Sequence, residues 1–193
     1  MLEDLNSSLA LIIQQTQANI NVLMIVLAVI WLVYFLNIFL NNRLNYLGII
    51  PRRLYGLPGI LFAPFLHANF NHLFFNSIPL LVLSNFLLIN GLHYFLWVSF
   101  LIMVISGFLV WAFGKPGIHL GASAVITGYW ALLVTDIVHR GGLTAIILGL
   151  ISLYYFAGIF LGIFPSRKGV SWEGHLFGLL AGLITSYLMS INI

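Results

Sequence analysis

Six long apolar segments dominate this chain, each of roughly the 20 residues that an α-helix needs to cross a bilayer. Only 6% of the residues are charged, whereas a soluble globular domain carries about 25%. The sequence therefore predicts an all-α membrane protein, a polytopic bundle of six transmembrane helices in one domain over residues 1–193. The predicted spans are residues 22–40, 71–90, 93–113, 120–138, 142–164 and 172–191.

Apart from short connections, two longer segments lie outside these spans. Residues 1–21 form a polar N-terminal segment, which lacks the basic start and small-residue cleavage site of a secretory signal peptide. Residues 41–70 form a long first loop, in which prolines 51, 58 and 64 prevent a continuous helix. This loop also combines arginines with many apolar residues, so we expect it to be interfacial and embedded in the membrane.

The composition excludes some classes of function. Seven basic and four acidic residues give a net charge of +3 without any basic stripe, so no nucleic-acid partner is expected. The chain has no cysteine, which excludes disulfides and thiol catalysis. The expected partners are the lipid bilayer and other membrane proteins, and no cofactor or metal is expected.

The polar residues of the spans collect at one face of the membrane. Spans 2, 4 and 6 all start on the same side, with His72 near the start of span 2, Ser123 at the start of span 4 and His175 at the start of span 6. Asn76 lies four residues after His72 and therefore shares its helix face. The pattern predicts one polar cluster, while His67 and His119 are expected to be cavity or loop histidines.

Small residues indicate how spans 4 and 6 meet. Gly121 precedes Ser123, and span 6 carries a stripe of glycines at every fourth position, namely Gly174, Gly178 and Gly182. Small residues let two helix backbones approach closely in a membrane. We therefore expect span 4 to pack against span 6 and to bring Ser123 near His175.

A serine beside a histidine is the minimum apparatus for nucleophilic acyl transfer. His72, Asn76 and backbone N–H groups near the serine are candidates to hold an oxyanion. No third member of a triad is expected, because Asp136 lies ~20 Å farther along its helix and Glu173 projects from another side of span 6. The residues thus predict a Ser–His dyad.

Three motifs carry a resemblance to a known family: HLFFN at residues 72–76, GASA at residues 121–124 and HLFGLLAG at residues 175–182. In this order and on alternate spans, they resemble the rhomboid family of intramembrane serine proteases, in its bacterial six-helix type. The resemblance implies Ser123 as nucleophile, His175 as general base, and His72 and Asn76 as oxyanion donors. It further implies that substrates are transmembrane or juxtamembrane segments of other membrane proteins.

The chain departs from the family pattern at three places. Ala124 replaces the usual glycine after the serine, Thr127 replaces an aromatic residue that often stacks on the catalytic histidine, and Pro51-Arg52-Arg53 replaces a Trp-Arg pair of the first loop. An alternative therefore stays open, a catalytically inactive rhomboid-like protein that binds membrane helices. A metal or haem protein using the histidines and a transporter are weaker alternatives, because HExxH and midplane ionisable groups are absent from the sequence.

The orientation signals conflict. The rule that basic loops stay inside would put the Ser123 face in the cytoplasm, whereas the resemblance implies an active site on the extracytoplasmic side of the bacterial inner membrane. We expect the orientation that the resemblance implies. The loops on the Ser123 face carry Arg43, Arg52, Arg53, Lys115, Arg167 and Lys168, and the opposite side carries only Arg140.

Overall fold

The computed structural model describes residues 2–164 and 171–191, which form a bundle of α-helices without a β-strand. Arg167 and Lys168, used above in the orientation argument, lie outside the described residues. The predicted fold class, an all-α membrane bundle, is confirmed. The helices are α1 (Leu2–Phe39), α2 (Gly59–Phe62), α3 (Phe70–Leu88), α4 (Leu92–Phe113), α5 (Ser123–His139), α6 (Leu143–Phe156), α7 (Gly158–Leu161) and α8 (Trp172–Ile191).

The core of the bundle lies around α5. Every residue from 125 to 133 is buried, so this helix is enclosed on all sides. A helix that is apolar all round can be stable only in such a position or in lipid. Its most extensive contact is with α8, and α3, α4 and α6 complete the surroundings.

The spans differ in length from the prediction. Four helices, α1, α3, α4 and α8, are long and apolar enough to cross a membrane by themselves, whereas α5 has 17 residues and α6 has 14. Span 4 starts at Ser123 rather than at residue 120, because Gly121 has a φ of +117° that no α-helix contains. Span 5 is not one helix over 142–164 but divides into α6 and α7 just before Gly158, and α7 ends just before Gly162; glycine weakens helix formation at both places.

The first helix starts much earlier than the predicted first span. It runs without interruption from Leu2, so it includes the segment that the sequence indicated only as polar. Its 38 residues give it a length of about 57 Å. The Asn85 side-chain amide near the end of α3 donates a hydrogen bond to the Thr16 hydroxyl at 2.8 Å, so α1 is held by a polar contact even outside its apolar part.

The first loop is folded against α4 and against the segment before Ser123. Short 3-10 turns flank α2, and a Cβ placed on Gly107 of α4 would lie 2.9 Å from the side chain of Ile60. The Arg52 guanidinium donates to the carbonyl oxygen of Gly114 at 2.8 Å. Two backbone hydrogen bonds of 2.9 Å join Ile49 and His119. The loop therefore helps to set the position of the chain just ahead of α5.

Candidate active site

The four predicted catalytic and oxyanion residues line one cavity of about 560 Å³. Ser123 is the first residue of α5, His175 lies in the first turn of α8, and His72 and Asn76 lie in the first two turns of α3. Three helices that start at the same face thus bring their first turns together. The cavity lies at the end of the bundle where the first loop packs.

Gly178 and Gly182 explain why α5 and α8 approach so closely. A Cβ on Gly178 would overlap the carbonyl oxygen of Ala124, and a Cβ on Gly182 would overlap that of Gly128. The two helices therefore touch backbone to backbone over two turns, as small residues permit in membranes. This contact lies directly below Ser123 and His175 and sets the distance between their helices.

The other two glycines of the predicted packing set have different surroundings. A Cβ on Gly174 would lie 3.5 Å from the Ser171 hydroxyl, which is ordinary contact, so this glycine is not part of the α5–α8 interface. A Cβ on Gly121 would lie 2.5 Å from Cε1 and 2.7 Å from Nε2 of His72. Gly121 therefore makes room for the His72 ring rather than for α8.

The His175 imidazole has a defined tautomer. Its Nδ1 is 3.1 Å from the carbonyl oxygen of Ser171. A carbonyl oxygen can only accept, so Nδ1 carries the hydrogen and Nε2 has a free lone pair. A ring in this state can take a proton from a hydroxyl group, as a general base must.

Ser171 connects the two halves of the site and was missed by sequence reasoning. Its hydroxyl accepts the Gly174 N–H at 3.2 Å, the contact of a helix N-cap, and lies 2.8 Å from Nδ1 of His119. Nε2 of His119 donates to the carbonyl oxygen of Lys115 at 2.9 Å. The loop before Ser123 is thus tied to the residue that orients His175. A serine just before an apolar helix is the sequence signal that predicts such a cap.

Among the residues that the structure describes, the Ser123 Oγ has no hydrogen-bond partner, and no hydrogen bond joins it to His175. Its carbonyl oxygen accepts the Thr127 hydroxyl at 2.8 Å. A half-buried serine with a free hydroxyl in a polar cavity is available for chemistry, and hydrogen bonds of catalytic groups often tighten only when substrate binds.

His67 lies in the loop before α3, within the predicted choice of a cavity or loop histidine, but it is buried. It is 1% exposed, and its Nε2 lies 3.2 Å from the side-chain nitrogen of Asn76. Burial, and then the neighbouring His72, lower the pKa of His67 to about 4, against the opposing effect of the Phe65 backbone. His67 is therefore neutral at pH 7, and its Nε2 accepts one N–H of the Asn76 amide. This bond orients the amide beside the cavity.

Neither candidate carboxylate contacts His175. Glu173 is buried, and its Oε1 lies 3.9 Å from the ammonium of Lys115. Asp136 lies near the other end of α5, where it accepts hydrogen bonds from Ser186 at 2.9 Å and Tyr94 at 3.2 Å. Within residues 2–164 and 171–191, no three His, Cys, Asp or Glu side chains are arranged to hold a metal ion.

Comparison with known proteins decides the family. A model of the Rhomboid domain matches residues 53–192, which include the whole cavity. The chain belongs to the rhomboid family. It is an integral membrane protein of that family, whose members are generally serine proteases.

Relatives occur in bacteria and in a virus. An uncharacterised protein of Mycobacterium tuberculosis (strain H37Rv) is 40% identical over 173 residues, covering 84% of this rhomboid and 72% of the relative. An uncharacterised protein of Mycobacterium leprae is 37% identical over 174 residues, covering 85% and 68%. A protein of Acanthamoeba polyphaga mimivirus, named as a rhomboid protein, is 29% identical over 131 residues, covering 64% and 70%.

Proposed function

We propose that this rhomboid is an intramembrane serine endopeptidase that cleaves transmembrane or juxtamembrane segments of other membrane proteins. The observation that carries this proposal is the shared cavity, in which the Ser123 hydroxyl, without a partner among the described residues, lies with the His175 ring, His72 and Asn76. Family membership supports the same reaction class. Amide hydrolysis needs a nucleophile, a base and an oxyanion site, and these residues can supply all three.

The reaction runs in two steps. His175 Nε2 takes the proton of Ser123 while Oγ attacks the scissile carbonyl carbon, and the carbonyl oxygen becomes an oxyanion. The His72 ring and the Asn76 amide donate hydrogen bonds to that oxyanion. The protonated His175 then gives its proton to the leaving amine. Water entering the cavity hydrolyses the acyl-enzyme, with His175 again acting as base.

A substrate helix must unwind locally before this attack, since its peptide carbonyls are hydrogen-bonded inside the helix. The cavity lies at the end of the bundle rather than at its middle, where water can reach it. We place that end on the extracytoplasmic side of the bacterial inner membrane. A reporter fused to the C-terminus, on the opposite side, is expected to be active only in the cytoplasm, and external activity would overturn this orientation.

The test is labelling of the detergent-solubilised protein with a fluorophosphonate serine probe. The wild type is expected to be labelled, whereas Ser123→Ala and His175→Ala are expected to lose labelling by more than about 1,000-fold. Thermal unfolding of all three proteins is measured in parallel, and unchanged midpoints show that the fold is intact. Labelling that persists in Ser123→Ala would exclude the mechanism. A folded wild type without labelling would favour the inactive, helix-binding alternative.

A further inference from the structure

Gly162, in the turn after α7, lies against the imidazole of His175. A Cβ placed on this glycine would lie 2.7 Å from Cδ2 of the ring, 3.1 Å from Cγ and 3.1 Å from Nε2. Carbon atoms in favourable contact are about 3.5–4.0 Å apart. A methyl group therefore does not fit between this backbone and the ring. Glycine, which has no side chain, leaves the ring in its observed position.

A hydrogen bond holds the His175 ring at one edge, and a backbone contact limits its movement on one face. On its edge, Nδ1 donates to the carbonyl oxygen of Ser171. That single bond leaves the ring free to tilt about it, and the contact with Gly162 limits this tilt. Thr127 of α5 is fully buried, and its hydroxyl donates to the backbone of its own helix at Ser123, so it provides no aromatic stacking surface for the ring.

We propose that Gly162 is a positioning residue for His175, because its missing side chain sets how far the imidazole reaches into the cavity toward Ser123. The inference rests on the proposed function, in which His175 is the general base. It also gives α7 a role, since this short helix brings Gly162 to the ring after the chain leaves α6.

The backbone at Gly162 makes a sharp test possible. Its φ of −67° and ψ of −16° lie in the right-handed helical region, so alanine is accommodated there without backbone strain. Gly158, at the start of α7, is the matched control, because a Cβ there would have no atom within 4 Å. Gly158→Ala adds a methyl group at the start of α7 and Gly162→Ala adds one just after its end, and only the second meets His175.

The first readout is the His175 ring itself, observed through its 15N side-chain resonances in detergent micelles and assigned with His175→Gln. Gly162→Ala is expected to shift these resonances, whereas Gly158→Ala is expected to leave them unchanged. This readout needs no activity, so it tests the contact even if the wild type proves inactive. Identical His175 resonances in Gly162→Ala and the wild type would overturn the inference.

The second readout is the rate of fluorophosphonate labelling. Gly162→Ala is expected to slow labelling by roughly 10- to 100-fold, since displacing a catalytic group by about 1 Å can have an effect of that size. Gly158→Ala should label at the wild-type rate, and both variants should unfold at the wild-type temperature. Equal rates in the two variants would overturn the positioning role. Failure of the wild type to label would instead count against the proposed function.

Discussion

The two ends of the bundle both contain buried polar side chains, but these are arranged differently. At one end, the Ser123 hydroxyl is without a described partner, in a cavity of about 560 Å³. At the other end, both oxygens of Asp136 are occupied, by Ser186 and by Tyr94. Arg140 lies 3.9 Å from the same carboxylate, and its guanidinium lies over the Tyr94 ring. The Asp136 carboxylate is thus bonded at both oxygens, whereas the half-buried Ser123 hydroxyl stays accessible from the cavity.

The comparison teaches which end serves which purpose. The Asp136 network joins α4, α5 and α8, so it ties together the far ends of α5 and α8, the helices that carry Ser123 and His175 at their other ends. The Ser123 end instead has hydrogen bonds that orient residues without occupying the reacting atoms. Substitutions at the Asp136 end should therefore lower stability, and substitutions of the residues that line the cavity at the Ser123 end should lower activity.

Asn76→Ala should have the largest effect on activity among the variants that keep both proposed dyad residues. Removal of an oxyanion donor costs about 100- to 1,000-fold in rate, so labelling by the fluorophosphonate probe should slow by this factor. Asn85→Ala, at the other end of the same helix, is the control and should label normally. A rate for Asn76→Ala within threefold of the wild type would show that the amide does not face the oxyanion.

Asp136→Ala should lower stability by about 3 kcal/mol, because it leaves Ser186, Tyr94 and Arg140 without their shared acceptor. The effect is measured as the shift in the unfolding midpoint in a denaturing detergent. The labelling rate of the folded fraction should equal that of the wild type. A large loss of labelling with unchanged stability would reverse the assignment of the two ends.

Gly178→Ala should lower stability by about 2 kcal/mol, because the added methyl group meets the Ala124 carbonyl and forces α5 and α8 apart. Gly174→Ala, four residues earlier on α8, adds the same group where there is space for it. Thermal unfolding of the two variants gives the comparison directly. An equal midpoint for both would show that the two helices are not in backbone contact.

His67, beside the candidate active site, should make the free energy of unfolding depend on pH. Because burial lowers its pKa from 6.5 to about 4, the unfolded chain binds a proton below pH 6.5 that the folded protein does not. Stability should therefore fall as the pH drops from 6.5 toward 4, by roughly 1 kcal/mol at pH 5.5. His67→Gln should remove this contribution and flatten the pH dependence, whereas His93→Gln, at an exposed position, should leave it unchanged.

Parts of the site were accessible from the sequence because they depend on local periodicity. The spacing of four residues puts His72 and Asn76 on one helix face, and the alternation of spans puts the starts of α3, α5 and α8 on one side of the membrane. The glycine spacing on α8 indicated a close helix contact, and the structure places Gly178 and Gly182 against α5. The limits of the spans were less accessible, since Gly121 starts span 4 late through a backbone angle that hydropathy does not report.

The amino-acid sequence alone thus led to an all-α membrane bundle and to the family, because apolar length, helical period and motif order are properties of consecutive residues. The roles of Ser171, His67 and Gly162 were not predicted, because each of these residues lies in a loop or turn just outside a helix. Ser171 orients the His175 ring, His67 orients the Asn76 amide, and Gly162 leaves space for the ring. The helical period does not predict such contacts, because they depend on the path that a loop takes beside a helix and on which atoms it leaves within hydrogen-bonding or van der Waals distance. Only the serine before α8 has a sequence signal, that of a helix cap.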